Sequence, residues 1–147
     1  MSTQDEFSEL RDGEVQIPAS SELLWRQIHP AFLDGGKMSS QAFTPSDKDD
    51  GELSVNRQSI VGANDAFRYF TEVQCFQSTA VYAVSAEEVA AKGLRTVDDS
   101  TSDPENAPSP GHAYVDFKAV AAGKRRKRIG GLLRDQAVAR GQQHPES

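Results

Sequence analysis

The chain has 147 residues, of which 37% are apolar and 26% charged, with one cysteine and a net charge of −6. That length supports one domain with a modest core and not two. Cys75 alone excludes an internal disulfide and a cysteine-rich zinc knuckle, and no apolar run approaches the ~18 residues of a membrane helix.

The charge is unevenly distributed. Residues 1–117 carry 8 Lys or Arg against 20 Asp or Glu, a balance of −12, whereas residues 118–147 carry 8 against 2, a balance of +6. An acidic body repels phosphate, so nucleic-acid contact is expected through the C-terminal tail only. The start of the chain lacks a charged-then-apolar leader, which predicts a cytoplasmic protein with no membrane association.

Residues 1–21 are polar and acidic, with Phe7, Leu10, Val15 and Ile17 too scattered to form one face. They are expected to be a disordered acidic arm. Residues 22–120 read as a single α+β domain. Its first strand, Glu22 to Ile28, alternates Leu24, Arg26 and Ile28 against Leu23, Trp25 and Gln27. Arg26 thus shares a face with two aliphatics and must reach either the strand edge or a carboxylate. Pro30 ends the strand, Asp34-Gly35-Gly36 turns the chain, and Lys37 to Phe43 predicts a second strand. An acidic loop, Ser46 to Glu52, leads into a short strand at Leu53 to Val55.

A helix is predicted over 62–74, because Ala63, Ala66, Phe67, Phe70 and Val73 recur at helical spacing. Cys75 after it is expected to be a small buried hydrophobe. Gln77 to Val84 predicts a central strand, because Ala80 to Val84 is nearly all apolar. Ser85 with Glu88 forms a capping box, starting a helix through Lys92 that Gly93 ends. A strand at Leu94 to Val97, an exposed loop over 98–111 and a strand at His112 to Phe117 complete the body. Residues 121–141 predict a basic C-terminal helix whose Ile129, Leu132, Leu133 and Ala137 share one face. Gly130-Gly131 weakens that helix by ~2 kcal/mol relative to alanines, so it is expected to be stable only when docked. Residues 142–147 are expected to be a disordered tail. The sum is an α+β fold: a small mixed β-sheet with two body helices and a basic C-terminal helix.

Three groups of residues could carry chemistry. Arg26, His29, Ser39, Ser40 and Gln41, with Asp34 nearby, are polar residues at strand ends, where a small-ligand pocket forms. His112 and Asp116 share a strand face but stand about 13 Å apart, too far to share a proton or a metal ion. With no third nitrogen ligand, no metal is expected, and no motif implies a cofactor. The third group is the run Lys124, Arg125, Arg126, Lys127 and Arg128, which suits an anionic partner. The tail has no aromatic residue for base stacking, and no Walker A, GxGxxG, HExxH, GxSxG or CxxC motif occurs.

WRQIHPAFLDGGKMSSQAFTPSDKDDGELSV, followed by the Phe67-bearing helix and PGHAYVDF, resembles a small uncharacterised bacterial protein family of about this chain length. The resemblance spans residues 23–140. It implies a bacterial cytosolic protein and brings no activity or catalytic residues with it. The order of an Arg-bearing strand, a Ser-rich strand and a helix is also similar to small ADP-ribosyltransferase-like folds. That likeness implies Arg26 and Ser39 or Ser40 beside a nicotinamide dinucleotide. The later Glu of those folds has no counterpart, since Glu72 and Glu87 fall on predicted helices.

The sequence therefore favours a non-enzymatic binding or accessory protein that engages a protein partner or an anionic surface through its basic C-terminal helix. The alternatives are an enzyme acting on a nucleotide-like ligand at Arg26, His29, Ser40 and Gln41, assisted by His112 or Asp116, and nucleic-acid binding through the tail.

Overall fold

The protein is α+β, as expected. Its structure, a computed structural model, describes residues 7–101 and 109–145. The strands are β1 (Val15–Gln16), β2 (Leu23–Ile28), β3 (Leu33–Asp34), β4 (Lys37–Met38), β5 (Glu52–Arg57), β6 (Ala80–Ser85), β7 (Arg95–Asp98) and β8 (His112–Asp116). Six of them form one sheet in the order β1-β7-β8-β5-β2-β6, and each ladder is antiparallel. β3 and β4 form a separate hairpin. The helices are α1 (Ala63–Arg68), α2 (Ala86–Ala91) and α3 (Lys124–Arg140).

Strand alternation sends side chains to two cores. Leu24, Ile28, Leu53, Val55, Val84, Ala113 and Val115 face one side, where Val89 of α2, Leu133 and Ala137 of α3, and Phe43 cover them. Trp25, Val81 and Ala83 face the other side, against Ala66 and Phe67 of α1. Each fully buried Leu, Ile or Val of this kind stabilises the fold by about 1.5–3 kcal/mol. The capping box forms as read: Ser85 Oγ accepts from the Glu88 amide at 3.1 Å, and Glu88 Oε1 accepts from the Ser85 amide at 2.8 Å.

Both chain ends depart from the disorder expected of them. Within residues 7–21, β1 pairs with β7, Ile17 is only 6% exposed, and its amide donates to Thr96 O at 3.0 Å. The arm is an edge strand that buries a single aliphatic, so no periodicity marks it. Residues 1–6 lie outside the described residues, as do 102–108 of the long loop and 146–147 of the tail. The tail residues Gln143 and His144 instead bond to Val81, and the His144 ring lies 4.4 Å from that of Phe67. This explains a second correction: β6, expected to be central, is an edge strand, and the tail covers part of its exposed backbone.

Two predicted elements change type. Strand geometry ends at Met38, and Ser40–Phe43 is a 3-10 turn. Ala42 and Phe43 are both buried, and consecutive residues of a strand cannot face one core. The helix over 62–74 is α-helical only to Arg68 and then continues as a π-helical turn, Tyr69–Val73. That wider turn rotates the apolar stripe out of register, leaving Val73 63% exposed. Cys75, expected to be buried, is exposed and has a left-handed φ of 60°.

Candidate functional site

The site begins where the sheet opens. β2 pairs with β6 along its whole length, but with β5 only at Leu24↔Arg57 and Trp25↔Asn56. Beyond that point the Arg26 side chain fills the gap. Its Nε donates to Ala42 O at 2.7 Å and its Nη1 to Ser54 O at 3.0 Å, while the guanidinium lies 5.6 Å from the Phe32 ring centroid. Burial pulls its pKa down to about 10, partly opposed by the charge of Asp49, so Arg26 stays a cation at neutral pH. This resolves the choice posed by its sequence position: among the described side chains it has no ion-pair partner, and it satisfies backbone carbonyls instead.

Arg26 forms the floor of a cleft of about 890 Å³. One wall is the 3-10 turn with Ser39, Ser40, Gln41 and Thr44. The loop after it adds Lys48 and Asp49, and the first turn of α3 closes the other side with Lys124, Arg126 and Lys127. The Ser39 hydroxyl is buried and has no hydrogen-bond partner among the described residues. Asp49 is occupied by its own turn, accepting from the Ser46 amide at 3.1 Å and the Ser46 hydroxyl at 2.6 Å.

Glycine makes this wall possible. A Cβ on Gly130 would stand 2.0 Å from Thr44 Oγ1 and 3.0 Å from Phe43 O, so α3 reaches the turn only because that position has no side chain. The pair that weakens the isolated helix is the pair that lets it dock. Docking sets the basic first turn beside Arg26.

The electrostatics are one-sided. Arg26, Lys48, Lys124, Arg126 and Lys127 line the cleft, and Asp49 is the one carboxylate among its described lining residues. Arg126 Nε donates to Val120 O at 2.8 Å. Neither Lys48, Lys124 nor Lys127 forms an ion pair among the described residues. The run Lys124–Arg128 also sits at the start of a 17-residue helix, where the macrodipole is positive and cations are disfavoured. Gly123, its N-cap, supplies no side-chain cap. Among the described lining residues only Asp49 offsets this repulsion.

The sequence candidates therefore divide. Arg26, Ser39, Ser40 and Gln41 join Lys124, Arg126 and Lys127 in one cleft, whereas Arg125 and Arg128 are exposed outside its lining. His29 lies elsewhere: its Nδ1 accepts from the Ala31 amide at 2.9 Å and caps the turn Pro30–Phe32. His112 Nδ1 is 2.6 Å from Asp99 Oδ1. Asp116 is fully buried and accepts from Arg95 Nε and from the Lys118 amide, each at 2.8 Å. Neither His112 nor Asp116 reaches the cleft, and Asp34 is exposed on the β3–β4 hairpin. Among the described residues no group of three His, Cys, Asp or Glu could hold a metal ion.

Sequence reasoning missed Lys48, a lone cation inside the acidic loop, which is the only signal it left. It also missed a polar cluster on the far side of the sheet. There Arg11 bonds Glu14 and Glu52, and the Tyr114 hydroxyl donates to Glu14 Oε2 at 3.0 Å. Burial raises the Tyr114 phenol, and it would raise Glu14 too, but the bonds from Arg11 hold that carboxyl below its ordinary value. This cluster ties the N-terminal arm down and is structural.

Comparison with protein-family models, curated proteins and solved structures finds no match for this chain.

Proposed function

We propose that the chain is a non-enzymatic binding protein of the bacterial cytosol that holds an anionic group of its partner in the basic cleft. The observation that carries this reading is the convergence of five cations on one cleft, with none of them in an ion pair among the described side chains. Keeping like charges together at the positive end of a helix costs stability, and a bound anion would reverse that cost. Arg26 is prepositioned by two carbonyl bonds and lines the cleft, while the Ser39 hydroxyl has no partner among the described residues. Phosphate or carboxylate oxygens suit that donor set.

The enzyme alternative loses its acid–base partners in this arrangement. A serine in the cleft would need a base within hydrogen-bond reach, and His29 and His112 are engaged elsewhere. The likeness to ADP-ribosyltransferase-like folds weakens as well, because the Ser-rich stretch is a 3-10 turn and not a strand, and no glutamate lines the cleft among its described residues.

Calorimetric titration with inorganic pyrophosphate tests the proposal. Binding should weaken with added salt, and the Lys124→Gln/Lys127→Gln variant should bind roughly a hundredfold more weakly, since a hydrogen bond to a charged group is worth about 1.5–3 kcal/mol. Arg125→Gln/Arg128→Gln should leave pyrophosphate affinity within about twofold, because these residues lie outside the lining. If the first variant binds as tightly as the parent with the same salt dependence, the proposal fails. Nucleic acid through the tail remains the second reading, favoured by the exposure of Arg125 and Arg128. It predicts instead that those two residues control affinity for a single-stranded oligonucleotide.

A further inference from the structure

On the face of β2 opposite the basic cleft, Gln27 is only 7% exposed, and neither its Oε1 nor its Nε2 has a hydrogen-bond partner among the described residues. Buried amides in folded proteins are nearly always satisfied, so both ends standing free is a marked exception. The side chain lines two adjoining hollows, of about 390 Å³ and 140 Å³, which also share Arg26, Phe70 and Phe76. Phe32 and His29 add to the larger hollow, and Trp25 and His112 to the smaller.

The aromatic wall is built by unusual backbone. The π-helical turn Tyr69–Val73 and the left-handed φ of Cys75 fold the chain back so that the Phe76 amide donates to Phe70 O at 3.0 Å. The two rings then lie 5.2 Å apart, tilted by 42°, and Phe76 remains 56% exposed. π-Turns and non-glycine residues at positive φ are costly and concentrate at functional sites. Here both serve to keep a phenylalanine at the rim of a hollow instead of in the core.

We propose that this is a second binding site, for a planar ring carrying a hydrogen-bond donor beside an acceptor, such as an amino-substituted nitrogen heterocycle or an aromatic carboxamide. The Gln27 amide offers one acceptor and one donor side by side and matches such an edge with two parallel bonds. Phe70 and Phe76 supply π faces for the ring, and stacking of this kind tolerates different ring systems. The larger hollow lies within the volume range of small-ligand pockets. This site borders the basic cleft through Arg26 and Phe32, but Lys48, Lys124, Arg126 and Lys127 line the cleft and neither hollow.

Trp25, the only tryptophan of the chain, lines the smaller hollow and reports occupancy directly. The experiment titrates the full chain with two matched pairs, following Trp25 emission and the Gln27 side-chain amide resonances. The pairs are adenosine with purine riboside, which lacks the exocyclic amine, and nicotinamide with pyridine, which lacks the carboxamide. Adenosine or nicotinamide should give a saturable response in both signals, and its partner should bind about tenfold or more weakly. Which pair responds distinguishes a nucleobase from a carboxamide. Gln27→Met should abolish the preference within the pair. Phe76→Ala, at an exposed position, should weaken binding of both members and keep the preference, so the test survives a poorly folding Gln27 variant. No saturable response to any of the four compounds, or equal affinity within each pair, overturns the proposal. Lys124→Gln/Lys127→Gln should leave the Trp25 response unchanged, so the two sites fail independently.

Discussion

Asp116 was a candidate for chemistry because His112 shares its strand face, and its surroundings give it a different task. Its carboxylate has no exposure and is held by Arg95 Nε and the Lys118 amide, while Arg95 also donates to Ser8 O at 2.7 Å and lies over the Phe7 ring. Removing one partner of a buried ion pair strands the other charge. Asp116→Ala should therefore destabilise the fold by about 3–5 kcal/mol in urea melts, a large share of a small domain's total. A loss below about 1 kcal/mol would mean that Arg95 finds water or another acceptor. The general point at this scale is that residue type was legible and burial was not. His112, Asp116 and Arg26 are all polar residues on strands, and only their neighbours separate a contact with Asp99, a buried clamp and a cleft floor.

Among the elements, α3 shows how one local weakness can have two causes. Glycine is worth about 1 kcal/mol less than alanine inside a helix, so both Gly130→Ala and Gly131→Ala should stabilise α3 by propensity alone. Packing separates them. At Gly130 the new Cβ would collide with Thr44 Oγ1 and the Phe43 carbonyl, whereas at Gly131 the nearest atom, Ser40 Cβ, is at an ordinary 3.7 Å. Thermal melts should thus show Gly130→Ala destabilised and Gly131→Ala stabilised by up to about 1 kcal/mol. Equal shifts for the two variants would contradict this docking of α3 on the 3-10 turn. The helix, its basic run and its glycines were all visible in the sequence. Its docking partner was not, because Ser40–Phe43 reads as a strand until Ala42 and Phe43 are seen to be buried together.

For the molecule as a whole, ion pairs connect distant parts of the acidic body. Arg57 joins Glu22 at 2.9 Å and Asp98 at 2.8 Å, Arg11 joins Glu14 to Glu52, and Arg140 of α3 reaches Glu88 of α2 at 2.8 Å. Burial alone would raise the carboxyls of Glu14, Glu22, Glu88 and Asp98, but bonds from their arginine, serine and backbone partners hold all four below their ordinary values. A carboxyl with a depressed folded pKa stabilises fully above its unfolded pKa and loses that contribution as pH falls through the folded one. The melting temperature should accordingly be flat with respect to these groups above pH 4.5 and fall progressively below it. Glu14→Gln should reduce the steepness of that fall. An unchanged acid limb in the variant would remove Glu14 from the set that governs it.

The sequence by itself determined the α+β class, the capping box at Ser85, the first strand with Arg26 on an apolar face, and a basic terminal helix whose paired glycines make it depend on docking. These are local properties, written in hydrophobic period, turn chemistry and charge. Only the tertiary structure decided that residues 7–21 pair with β7, that the tail covers the edge of β6, and that β2 parts from β5 after Trp25. Each of these depends on a partner far away in the chain, and each is made mainly by backbone groups that every residue carries, so no side-chain pattern announces it. The same holds for function. The residues of the basic cleft lie in three separate stretches of sequence, and what brings them together is a helix without a Cβ at Gly130, seated against a turn some 90 residues earlier.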